Sequence, residues 1–336
     1  MMSVEKAQIP YVDNQEFNQW LDENYDIVIE NFTFASSEVL YAMNYSQYIE
    51  ALERYDIDPP IVLNRIITKF PAPIAYYLDQ AENNYQNHHH RLDLLKSCWE
   101  SVIFFIYGLV VAEANHRAFP LKELGNEYKT YYSDRVYDKL RIVEGIIDKS
   151  LTKGLTLYCA DIISLPILAD IKKLNQERNG FEHAAAKTEQ QQKDLYEKLF
   201  PILIKVLGSL IKLEKVKLLR YHSSDMALYP RCEIFNGNSL DGKKEIIVLE
   251  KNNYVDIIDY WNKNSIFAQI DDIVFSVAPF IHFYQESHET NALLAFFKKA
   301  KGQDYDFEVM SKSHTKELNK SDFTIFENQL RSNIIP

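Results

Sequence analysis

Arg178 and His183 stand five residues apart in the stretch LNQERNGFEHAAA, residues 174–186, with Asn179 and Gly180 between them. An imidazole titrates near neutrality and can take or return a proton. A guanidinium offers a planar fork of donors to the oxygens of an anion. Held at one spot, the two groups would support proton transfer beside a clamped oxyanion. On a straight helix they would point about 140° apart, because each residue turns the chain by about 100°. The Asn-Gly pair offers a way round this. Asn is a favoured N-cap, Gly tolerates positive φ, and a new helix can begin near Phe181 at a different angle. The expected arrangement is a break between two helices that turns both side chains toward one cleft.

The elements that must position this break are helical. From Gln15 to about Leu213 the apolar residues recur at three- and four-residue spacing, with few strong turn signals. This pattern predicts helices near 15–33, 37–54, 61–80, 87–117, 133–149, 158–177 and 181–213. The segment RLDLLKSCWESVIFFIYGLVVAEAN is apolar on nearly all sides in its middle, as the central helix of a bundle would be. After Lys217 the texture changes to short β-branched and aromatic runs such as EIIVLE and IFAQIDDIVFSVAPFIHFY, interleaved with turn signals such as NGNSLDGK. The expected organisation is an acidic helical extension over 1–60, a helical domain over 61–217, and a small α+β module over 218–336 with one helix around 290–300.

The composition bounds the classes of function. With 336 residues, 46% hydrophobic and 13% aromatic, the chain should fold around a large core. Three widely spaced cysteines, Cys98, Cys159 and Cys232, suggest neither a disulfide framework nor a zinc site, which fits a reducing cytoplasm. The N-terminus has no apolar stretch of signal-peptide length, and the run SVIFFIYGLVVA is too short to cross a bilayer, so no membrane partner is expected. Nine glycines, with no Gly-rich phosphate loop and no G-x-S-x-G or H-E-x-x-H, leave the common nucleotide-binding, hydrolase and metalloprotease classes without support. The formal charge of −11 is local: residues 1–60 hold 12 acidic against 2 basic side chains. From Lys172 to Lys217, 10 Lys or Arg stand against 6 Asp or Glu, so a phosphate backbone could approach there. Lys172, Lys173 and Lys187 are the candidate contacts.

The order Arg178, Asn179, three residues, His183, opening a late helix behind a long central one, resembles HEPN domains of bacterial defence and toxin systems. The segment FPAPIAYYLDQ at 70–80 is similar to one found ahead of the central helix in some of them, and FSVAPFI at 275–281 to an element appended to some. The resemblance covers about 60–217. It implies a mainly α fold, an HEPN-like helical bundle to which the small C-terminal α+β module is attached. It further implies a metal-independent endoribonuclease without cofactor, cleaving RNA by 2′-hydroxyl attack in an anti-phage defence or toxin–antitoxin setting. His183 would be the acid/base group, Arg178 the phosphate clamp, and Asn179 would orient the phosphate or the histidine. One chain supplies one histidine where the reaction uses an acid and a base, so a homodimer is expected. A regulatory or antitoxin protein is a further expected partner. The alternative is a non-catalytic HEPN-like scaffold for dimerisation and binding.

Other candidates have plainer readings. Glu100 lies in the apolar stretch of the long helix and could hold Arg178 in place, or face solvent or a neighbouring lysine. Glu113 and His116 form a Glu-x-x-His, as in di-iron bundles, but no second such pair exists, so an ordinary helix end is expected. His88, His89 and His90 point in different directions on a helix and read as a solvated helix start. No metal site is expected.

Overall fold

The computed structural model describes residues 9–25, 34–119, 124, 133–155, 157–177, 188–224, 229–240, 243–249, 266–284, 293–310, 315–324 and 328. The chain divides into two compact units, Met1–Asn64 and Arg65–Pro336.

In the first unit, α1 (Gln15–Asn24) is capped by Asn14, whose side chain accepts from Phe17 N–H. The helix expected over 37–54 is two, α2 (Ser36–Met43) and α3 (Tyr45–Ile57), because Asn44 leaves the helical conformation and caps α3 by accepting from Gln47 N–H. Phe17, Trp20, Leu21, Tyr48, Ala51 and Tyr55 form the core of this unit. Trp20 Nε1 donates to Asp58 at 3.1 Å, which gives the buried indole its partner.

In the second unit α6 (His88–His116) is the central element, buried almost continuously from Trp99 to Asn115. Around it pack α5 (Ala72–Asn83), α7 (Val136–Thr152), α8 (Tyr158–Ile162) and α10 (Glu189–Ser209), while α9 (Leu165–Glu177) packs on α7 and α10. Among the described residues α6 is the one helix long and apolar enough to cross a membrane, a property the run SVIFFIYGLVVA by itself was too short to suggest. Of its most apolar 18-residue window, 72% is buried among protein neighbours. Its apolar surface therefore serves the bundle core.

The helix expected over 61–80 breaks into α4 (Pro59–Lys69) and α5 at Phe70-Pro71. Proline has no N–H to give and pushes the preceding residue out of the helical region. The backbone groups freed by the break are used by the sheet: Ala72 N–H donates to Phe235 O at 3.0 Å and Gly237 N–H to Phe70 O at 2.7 Å. Gly237 sits at φ 84°, a conformation that favours glycine. Asn236, buried, completes the joint. Its amide donates to Lys69 O and Val216 O, and its carbonyl accepts from Leu218 N–H.

Nine strands follow among the described residues. The first sheet is antiparallel in the order β3 (Lys243–Val248), β2 (Pro230–Ile234), β1 (Lys217–Ser224), β4 (Ile266–Ile270), β5 (Ile273–Ser276). The second, also antiparallel, runs β6 (Ile281–Tyr284), β7 (Leu293–Lys301), β8 (Asp304–Val309), β9 (Thr315–Asn319). The helix expected around 290–300 is therefore a strand over its described part, from Leu293 on. NALLAFFKKA has helix-forming residues, but pairing on both sides with β6 and β8 and burial of Phe296 and Phe297 override that preference. Between the sheets, Val277-Ala278-Pro279-Phe280 carries a cis Ala278-Pro279 bond and lays Phe280 against α6 at Gly108. A Cβ at Gly108 would stand 2.8 Å from Phe280 Cβ, so glycine is what permits this approach. The segment FSVAPFI thus joins the two sheets and docks them on the bundle.

Candidate functional site

α9 is described as far as Glu177, one residue before Arg178, and α10 opens at Glu189. Arg178, Asn179, His183 and Lys187 lie between the two in the sequence, within 178–187, outside the described residues. Of the helix expected to run from 181 to 213, positions 181–187 lie outside the described residues, and the rest is interrupted at Thr188 and stops before 213. Thr188 is extended (φ −66°, ψ 160°) and closes a capping box with Gln191, each side chain bonding the other's backbone N–H, so the helix begins afresh at Glu189. It ends at Ser209 and gives way to a 3-10 turn, Ile211–Lys215, before β1. Thr188-x-x-Gln191 is the sequence signal that marks this start.

Both flanks are anchored. On α9, Lys172 Nζ lies 2.5 Å from Glu144 of α7, tying the helix that precedes the motif to the bundle. Lys173 is 3.4 Å from Asp170 on the same helix face, with 76% of its side chain exposed. An exposed pair of this kind contributes little, so Lys173 can exchange its carboxylate for another anion at small cost. Glu100 is half-buried on α6 beside the buried Trp99 and Ser101.

Near the start of α10 lies a polar cluster that the sequence did not reveal. Arg91 donates to Glu82 Oε1 and to Ala81 O, both at 2.8 Å. Its guanidinium stacks over Tyr196 at 3.8 Å and over Tyr85 at 4.4 Å. The Tyr196 hydroxyl donates to the same Glu82 carboxylate, and burial, then that carboxylate, push the phenol's pKa up, so it stays a neutral donor. Tyr196 is two turns, about 12 Å, beyond Thr188. The cluster therefore binds α5, α6 and α10 together at the end where the connection from α9 enters α10. Tyr196 and Glu82 are 114 residues apart, and no periodicity relates them.

The remaining candidates have structural roles. Asn87 caps α6 by accepting from His90 N–H, His90 Nδ1 accepts from Gln86 N–H at 3.1 Å, and His89 pairs with Asp93 at 3.5 Å. Among the described residues, no three His, Cys, Asp or Glu side chains gather as metal ligands would. Glu113 is fully buried. Its two oxygens accept from Tyr158 N–H at 2.7 Å and Cys159 N–H at 2.8 Å, and Arg117 Nε is 3.1 Å away. The carboxylate thus satisfies the first amides of α8, and His116 stacks on Phe275 of β5. Burial, then Glu113, raise the Cys159 thiol pKa and leave it unreactive. Glu113→Ala should cost about 3–5 kcal/mol in denaturant unfolding, because it strips the buried amides and Arg117 of their acceptor. A loss below about 1 kcal/mol would contradict this role.

Comparison of the chain with protein-family models, with curated proteins and with solved structures finds no match.

Proposed function

We propose that the protein is a metal-independent endoribonuclease that works as a homodimer in a defence or toxin setting. The observation that carries this reading is the position of the motif. Arg178-Asn179-x-x-x-His183 stands in the sequence between the described part of α9 and α10, which is freshly capped at Thr188, and both of these helices pack in the bundle.

The chemistry follows from the groups. The ribose 2′-hydroxyl attacks the adjacent phosphorus while an imidazole takes its proton. The Arg178 guanidinium donates to the non-bridging oxygens, whose negative charge grows in the transition state. The 5′-oxygen leaves with a proton from a second imidazole. His183 and His183 of the partner subunit would fill these two roles across a twofold axis. Asn179 orients the phosphate or the histidine, Glu100 is the candidate support for Arg178, and Lys172, Lys173 and Lys187 are the candidate contacts for the RNA backbone. A regulatory or antitoxin protein would act by covering this end of the bundle.

Incubating the purified chain with RNA and a chelator tests the reading. Cleavage should persist undiminished, the protein should run near twice 39.4 kDa, and mixing in His183→Ala chains should lower activity more than dilution does. Activity that vanishes with the chelator points to a metal nuclease. A fully active monomer removes the shared site. A folded chain that binds RNA without cutting it returns the bundle to the role of a scaffold.

A further inference from the structure

Lys139 of α7 is fully buried, and its ammonium has no hydrogen-bond partner. Three rings surround it instead: Tyr107 at 4.3 Å, Phe297 at 4.9 Å and Phe104 at 5.2 Å. Phe104 and Tyr107 belong to α6 and Phe297 to β7, so the amine sits where the second sheet meets two bundle helices. The charged groups at this seam are few. Asp134 and Asp138, just before and at the start of α7, exert favourable charges on it. Asp138 accepts from Ser133 Oγ at 2.6 Å. From β7, Lys299 pairs with Asp134 at 3.6 Å and Lys298 with Glu308 at 3.3 Å. From α6, Tyr107 has its own pKa raised by burial and stays neutral.

An amine in this place is costly when charged. The rings recover part of the hydration that an ammonium loses, but they offer no lone pair to its three donors. A neutral amine is the smaller burden. If the seam opens, water reaches the amine and the charged form is favoured again. We propose that Lys139 is a proton-operated latch: uptake of a proton by its amine loosens the seam where β7 is docked against α6 and α7.

The direction and range follow from linkage. Burial pushes the Lys139 pKa down from 10.5 to about 7 in the closed state. In the open state it returns toward its ordinary value. Between these values the open state holds one more proton, so each unit of acidification raises the open population by about tenfold. Below about pH 7 both states are protonated and the effect levels off.

Hydrogen exchange of the full chain tests the latch, read on peptides covering α7 and β7 and corrected for the intrinsic rate. From about pH 9 to about pH 7, opening should rise about tenfold per unit and then flatten toward pH 6. Lys139→Met should show no such slope. Phe297→Leu keeps an apolar filling but removes one ring, so it should increase opening more near pH 6, where the amine is charged, than near pH 9. Equal slopes in the wild type and Lys139→Met, a flat wild type, or an equal effect of Phe297→Leu at both ends would each overturn the proposal.

Discussion

Replacing His183 with alanine is expected to lower RNA cleavage by at least about a hundredfold, and Arg178→Ala by a similar factor, with the fold intact in both. The two losses have different origins. Without His183 no group of the motif accepts or returns the proton, so the rate should lose its dependence on pH near neutrality. Without Arg178 the proton can still move, but the charge growing on the phosphate is uncompensated, and Arg178→Lys should recover little because a point charge cannot replace a fork. Circular dichroism and melting temperature check the fold. As substitutions of groups assigned to the chemistry, neither is expected to shift melting appreciably. Full activity in either variant would remove the motif from the chemistry.

The second large effect concerns stability. Lys139→Met should make the protein more stable. A lysine whose folded-state pKa is depressed from 10.5 to about 7 charges the folded state a cost that is complete below pH 7 and fades as the pH rises toward 10.5. For so deeply buried a group the cost reaches roughly 5 kcal/mol, and methionine fills the same space without a charge. For a unit of this size the melting temperature near pH 6 should rise by ~10 °C. The gain should shrink toward pH 10, leaving only the residual cost of an unbonded neutral amine. A variant less stable than the wild type at every pH would mean that the cage and its two aspartates more than compensate the buried charge.

Sequence periodicity was informative where one force dominated. The central helix expected at 87–117 is α6 at 88–116, because a segment apolar on all sides has no stable alternative to the middle of a bundle. The change to short strands after Lys217 coincides with β1. Helix ends were less legible. Asn44, Phe70-Pro71, the Ser164-Pro166 stretch and Thr188 each divide what periodicity reads as a continuous helix, since apolar spacing carries across a cap that reorients the chain. The turn at 70–72 depends on backbone partners at 235–237, more than 160 residues away, which no local pattern contains. Strand β7 was hidden for the same reason: its residues favour a helix, and only its neighbours β6 and β8 make it a strand.

Around the candidate site the limits are of another kind. Arg178, Asn179 and His183 are visible in the sequence because their chemistry is carried by residue type and close spacing. The groups that hold the frame are not. Glu82, Arg91 and Tyr196 come from three helices, and Lys139 meets its cage on α6 and β7. Glu113 was visible as half of a Glu-x-x-His pair. Its role as acceptor for the α8 amides emerges only when the two helices meet.

The central claim, cleavage of RNA by its own 2′-hydroxyl, is tested most directly by the end groups of the products. Mass spectrometry of a defined oligonucleotide cut by the wild-type chain in the presence of chelator should find a 2′,3′-cyclic phosphate on one fragment and a 5′-hydroxyl on the other, neither of them formed by His183→Ala. Fragments ending in a 3′-hydroxyl and a 5′-phosphate would show that water, not the ribose, attacked the phosphorus, and would contradict the account.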